Sequence, residues 1–249
     1  MITVKNHDEI AIMRKAGRIV GETLLLLEKE VKPGVTTANL DRIAEEFITK
    51  HGAKPSFKGL YGFPSSLCIS VNEQVIHGFP GEYVLKEGDI VSIDCGAFFD
   101  GFHGDAARTF SVGEVSVEAQ RLIDITRESF FQGIKFAKQG NKLTDISHEI
   151  QSYVEAAGFS VVRDFVGHGI GRKVHEDPNV PNFGKSGRGP KLLEGMVLAI
   201  EPMVNVGTYK VKTLKDGWTV VTADSSLSAH YENTVAILSD GPEILTLIK

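Results

Sequence analysis

An α+β fold made of two related halves is predicted by three observations on this chain of 249 residues. Helical periodicity and strand-like runs come in blocks, in the order helices, strands, helices, strands, an arrangement in which the sheet folds around a site. The stretches 87–94 (Glu-Gly-Asp-Ile-Val-Ser-Ile-Asp) and 194–201 (Glu-Gly-Met-Val-Leu-Ala-Ile-Glu) align without a gap. The two helix pairs repeat at nearly the same offset. Together these imply a duplication whose equivalent strands meet near an approximate two-fold axis.

The elements follow from local patterns. An amphipathic pattern over 7–31 predicts a first helix, capped near Asn6, carrying Asp8 and Glu9 in its first turn and stopping before Pro33-Gly34. A second helix over 38–51 has Thr37 as its expected cap. Residues 67–71 and 75–78 read as strands, as does the apolar run 90–93 ending on Asp94; an Asp100-Gly101 turn then leads into a strand reaching Phe110. Helices are predicted again over 116–139 and 143–157, and strands and loops from Ser160 onward.

A single domain spanning 1–249 is expected, because the junction Gly113-Glu114-Val115-Ser116 is too short to be a spacer and 42% hydrophobic content is ample for one core. The net charge of −5, with no basic stripe, argues against nucleic-acid binding. The early apolar stretch from Leu24 to Leu27 lies among Glu22, Glu28 and Glu30, which fits neither a signal peptide nor a membrane span. A cytoplasmic protein is therefore expected. Its two cysteines, Cys68 and Cys95, are expected as thiols.

The apolar runs 90–93 and 197–200 each end on a carboxylate, Asp94 and Glu201, where an unpartnered charge would be too costly to bury. Asp105 follows the first run in His103-Gly104-Asp105, and Glu232 follows the second in His230-Tyr231-Glu232. Four converging acids with a histidine describe a metal centre. His168 is the best imidazole candidate, since it sits among Gly167, Gly169 and Gly171, where backbone can approach something closely. His77 and His175 stand near polar loop sequence and fit either a site or a surface. His103 and His230, two positions before an acid on a strand, are expected to support the acids or to be structural; His7, His51 and His148 are expected to be solvated.

The ordered set Asp94, Asp105, His168, Glu201 and Glu232 resembles the dinuclear metal centre of the methionine aminopeptidases. The resemblance covers nearly the whole chain and includes Asn72-Glu73 through His77-Gly78, Ile93-Asp94-Cys95-Gly96, Gly167-His168-Gly169-Ile170-Gly171, Ile200-Glu201-Pro202 and Asp216-Gly217-Trp218. It implies the pita-bread, creatinase/aminopeptidase-like fold with pseudo-two-fold halves, and the short, bacterial-like type I form, because no zinc-binding extension precedes the first helix and no long insertion separates His175 from Glu232. It implies two divalent ions (Co, Mn or Fe, with Zn as a further candidate), one on Asp94, the other on His168 and Glu201, with Asp105 and Glu232 bridging. Such a pair lowers the pKa of a shared water from about 15.7 towards 7.

By the same resemblance Glu201 moves the proton from water to the leaving amine, His175 meets the carbonyl oxygen or tetrahedral intermediate, and His77 meets the leaving nitrogen. Phe63, Cys68 and Trp218 are implied to line a methionine pocket. The implied partners are peptides and nascent chains with N-terminal methionine, with transient contact at the ribosome, and a monomer is expected. Competing readings are an X-Pro aminopeptidase or prolidase, against which the absence of an N-terminal domain of over a hundred residues speaks, and a binding module that has lost its metals, although no expected ligand is missing. Gly184-Lys185-Ser186 lacks the preceding glycine of a phosphate-binding loop, and Gly62-Phe63-Pro64-Ser65-Ser66 lacks the Gly-x-Ser-x-Gly elbow.

Overall fold

The computed structural model describes residues 1–248. Helix α1 (His7–Glu30) starts with a capping box: Asn6 accepts from Glu9 N, and Glu9 in turn accepts from Asn6 N. Helix α2 (Thr37–Lys50) is capped by Thr36, one residue before the predicted cap. The reason is that the Thr37 hydroxyl is buried and donates to Gly81 O, which leaves Thr36 to accept from Asn39 N. Helix α3 (Val117–Gly133) ends earlier than its periodicity predicts and tightens into a 3-10 turn over Ile134–Phe136; α4 (Leu143–Ala156) matches its pattern.

Each helix pair covers one antiparallel sheet. In the first sheet the strand Ile90–Phe99 has Phe102–Ser111 along one edge and Leu67–Val71 and Lys54–Pro55 along the other. The hairpin closes through Asp100 and Gly101, both with positive φ, as a two-residue turn between twisted strands requires. In the second sheet Val197–Ile200 lies between Gly167–Gly169 and Asn233–Leu238, with Glu176–Val180 and Gly241–Ile244 outside them. The same triplet is thus built twice, and its middle strand delivers Asp94 in one half and Glu201 in the other.

The larger cores follow this division. Leu24, Leu27, Leu40 and Ile48 from α1 and α2 pack on Ile69, Val91 and Ile93, while Phe130, Ile146 and Ile150 from α3 and α4 pack on Leu198, Ile200 and Val235. A third sheet crosses between the halves: Gln74–Ile76 pairs with Val220–Thr222, which pairs with Val211–Thr213. His77 and Gly78, expected in the first of these strands, lie beyond its end, because His77 adopts a left-handed φ of 59° and breaks the ladder. Among the described residues no helix is long and apolar enough to cross a membrane.

Candidate metal centre

The strand pairing explains how the acids converge. Asp94 stands opposite Cys68 on one side and Ala107 on the other, and Asp105 stands opposite Gly96. Ala107 and Glu232 pair through their backbones, which brings Glu232 from the second half beside Asp105. His168 pairs with Ala199, two residues before Glu201. The glycines around His168 serve close packing of strands: a Cβ on Gly167 would lie 2.3 Å from Ala199 O, and one on Gly169 2.1 Å from Asp177 O. Their close approach is to neighbouring backbone.

Ligand atoms of Asp105, His168 and Glu232 lie within 4.8 Å of one another, and all three residues are buried. Asp94 and Glu201 line the same cleft, whose volume is about 840 Å³. His168 Nδ1 donates to Gly169 O at 2.9 Å, so Nε2 carries the free lone pair, and Nε2 lies 3.6 Å from Glu201 Oε1. His230 sits beneath this floor, with Nε2 3.6 Å from Glu201 Oε2. His103 stays outside the cleft lining, where it bonds Ser56 and packs on Phe98.

The charges in this floor are unbalanced. Burial pushes the carboxyl of Asp94 up to about 7 and that of Glu201 up to about 8. Asp105 and Glu232 are also driven well above the ordinary range, by burial and then by neighbouring carboxylates. Asp94 Oδ1, Asp105 Oδ1 and Glu232 Oε1 are buried without a partner. Acids that resist ionising together, with oxygens aimed at no donor, fit a site for cations. Four carboxylates and one imidazole suit divalent ions that prefer oxygen and nitrogen.

The remaining predicted residues rim the same cleft. The rings of His175 and His168 are 4.5 Å apart at 77°. His77 packs edge-on against Phe165 and Trp218 at 5.9 and 6.4 Å. Burial lowers the pKa of both, that of His77 to about 4 with a further contribution from His230 and His175. Both rings are therefore neutral near pH 7.

Phe63, Cys68 and Trp218 join one apolar wall. Phe63 meets Trp218 edge-on at 5.2 Å, and an Asx turn in which Asp216 accepts from Trp218 N and Thr219 N holds the indole in place. Phe57, Phe79 and Val174 extend the wall and were not visible from sequence, since isolated apolar residues in loops carry no periodic signal. The Cys68 thiol is held protonated by burial, and Cys95 lies in the core of the first half.

Residues 11–239 match the model of metallopeptidase family M24. The chain is 77% identical to a methionine aminopeptidase of Clostridium perfringens over the full length of both. It superposes on the crystal structure of the Thermotoga maritima methionine aminopeptidase with a TM-score of 0.98 and 47% identity, again over both whole chains. The prolidase of Pyrococcus furiosus, at 23% identity and TM-score 0.80, matches 99% of this chain and 66% of its own, and shares the fold. These are pita-bread proteins, and the duplicated triplet described above is that architecture. The chain belongs to metallopeptidase family M24 and, within it, to the methionine aminopeptidases.

Proposed function

We propose that this protein removes the N-terminal methionine from new polypeptides, preferring a small second residue, by hydrolysis at a centre of two divalent ions. The observation that carries the reading is the juxtaposition of unpartnered carboxylate oxygens with an apolar wall in one cleft. Asp94 is assigned to one ion, His168 and Glu201 to the other, and Asp105 and Glu232 to both, with Mn, Fe or Co preferred and Zn as an alternative. When bound, the ions supply Lewis acidity at the scissile carbonyl and acidify the attacking water.

The chain's own residues supply the remaining steps. Glu201, between His168 and His230, takes the proton from the water and passes it to the leaving amine. His175, neutral, offers an N–H to the carbonyl oxygen as negative charge develops there. His77 faces the leaving nitrogen. The wall of Phe63, Cys68 and Trp218 receives the unbranched thioether. We assign the whole chain to one catalytic domain, acting as a monomer in the cytoplasm on nascent chains, with transient contact at the ribosome and no direct nucleic-acid binding.

The test is a comparison of three peptides, Met-Ala-Ser, Leu-Ala-Ser and Met-Lys-Ser, under one metal condition. Release of the first residue is expected to be fast from Met-Ala-Ser and much slower from the other two. Comparable rates on Met-Ala-Ser and Leu-Ala-Ser would indicate a general aminopeptidase, and preference for an X-Pro peptide would indicate the prolidase type.

A further inference from the structure

We propose that Lys5 and Glu176 are positioning residues for the reaction, a buried ion pair by which the N-terminal arm fixes His175 against the substrate carbonyl. The inference rests on the role of His175 given above. Lys5 Nζ donates to Glu176 Oε2 at 2.8 Å and to Thr3 Oγ1 at 2.7 Å, and the Lys5 side chain is only 5% exposed. The other carboxylate oxygen of Glu176 accepts from Lys173 N at 3.1 Å, so this one group straps the turn that carries His175 on both sides. The arm itself is anchored, since Lys5 N donates to Gly195 O at 2.8 Å. A Cβ on Gly171 would lie 2.5 Å from Lys5 Cε and 2.8 Å from Glu176 Oε1, so the backbone at Gly171 closes directly over the pair.

The backbone ladder alone does not hold His175. Gly169 pairs with Glu176 but His168 pairs with Asn179, and the register shift between them leaves residues 177 and 178 out of the pairing. His175 stands two residues before this irregular stretch, next to the last paired residue Glu176, and its ring must meet that of His168 at 4.5 Å. A buried ion pair is a weak source of stability, because desolvation offsets most of the attraction and an apolar pair packs as well. What it adds is a fixed geometry. Burial tends to raise the carboxyl of Glu176, yet hydrogen bonds from Lys5, Thr3 and Lys173 N hold it down at about 2, so the strap stays charged at any working pH.

Turnover of Met-Ala-Ser and metal content are measured for Glu176→Gln, Lys5→Met, His175→Ala and the combination of Glu176→Gln with His175→Ala. Each single change in the pair is expected to lower kcat about 10-fold, with KM and metal content unchanged, as for a loss of orientation. In the His175→Ala background Glu176→Gln should cost less than about 2-fold, because it acts through the missing ring. An equal loss in both backgrounds, or an effect confined to KM, overturns the positioning role. An unchanged kcat in His175→Ala itself overturns the assignment of His175 and the pair's role with it. If a single variant misfolds, Lys5→Met with Glu176→Gln leaves no charge unpaired and is expected to show the same loss in kcat.

Discussion

Ala107 and Glu232 exchange backbone hydrogen bonds across the junction of the two halves, Ala107 N to Glu232 O at 3.3 Å and Glu232 N to Ala107 O at 3.0 Å. Threonine side chains continue the ladder on both sides. Thr234 Oγ1 donates to Asp105 O at 2.8 Å and accepts from Asp105 N at 2.9 Å; Thr109 Oγ1 does the same with His230 O and N, both at 2.9 Å. The acids assigned to both ions therefore stand on adjacent, fixed backbone, one from each half.

Thr234→Val keeps the shape and removes both bonds to Asp105. It should cost about 1–3 kcal/mol of stability, because a buried N–H and C=O lose their partner. Metal affinity should fall about 10- to 100-fold. Urea unfolding and metal titration measure the two effects; lower stability with unchanged affinity would restrict Thr234 to a part in the fold.

The metal-free protein should become less stable as pH rises from 6 to 9. Burial raises the folded-state values of Asp94 and Glu201 to about 7 and 8, above those of the unfolded chain. The folded form thus binds more protons, and the stability this gives is lost as pH climbs through those values. With metal bound the ligand carboxylates are already ionised, and the decline should disappear. A urea midpoint independent of pH in the stripped protein would contradict the electrostatics of the floor.

Asp105→Ala and His175→Ala should fail differently. The first removes an acid assigned to both ions and should lose metal with activity. The second should keep its metal and lose roughly 10²-fold or more in kcat. Equal metal loss in both, read by elemental analysis, would refute the division of roles.

Trp218→Ala should open the pocket wall. Discrimination between Met-Ala-Ser and Leu-Ala-Ser, expected at about 10- to 200-fold for a one-methylene mismatch in shape, should narrow towards parity. Undiminished discrimination would place the selectivity elsewhere in the cleft.

The duplication and the middle strands were legible because both apolar runs are buried and both end on an acid, a local pattern. The helix boundaries were less so: Thr36 and Thr37 are equal caps by composition, and only the distant carbonyl of Gly81 decides between them. The left-handed turn at His77 was hidden for a similar reason, since Val75 and Ile76 read as a strand that has no local cause to stop. In the site, Asp94 and Glu201 could be placed at the ends of the two buried runs, whereas Phe57, which lines the cleft, and Phe79 and Val174, which pack against its apolar wall, come there by tertiary folding. Lys5 resembles any surface lysine until Glu176, 171 positions away, is brought to it.

Hydrolysis is assigned to a metal centre built by Asp94, Asp105, His168, Glu201 and Glu232. The most direct measurement follows release of methionine from Met-Ala-Ser by one preparation before chelation, after removal of metal to below detection, and during titration with Mn²⁺, Fe²⁺ or Co²⁺. The prediction is a folded, inactive stripped protein whose turnover returns with added metal. Full turnover in the metal-free protein would contradict it.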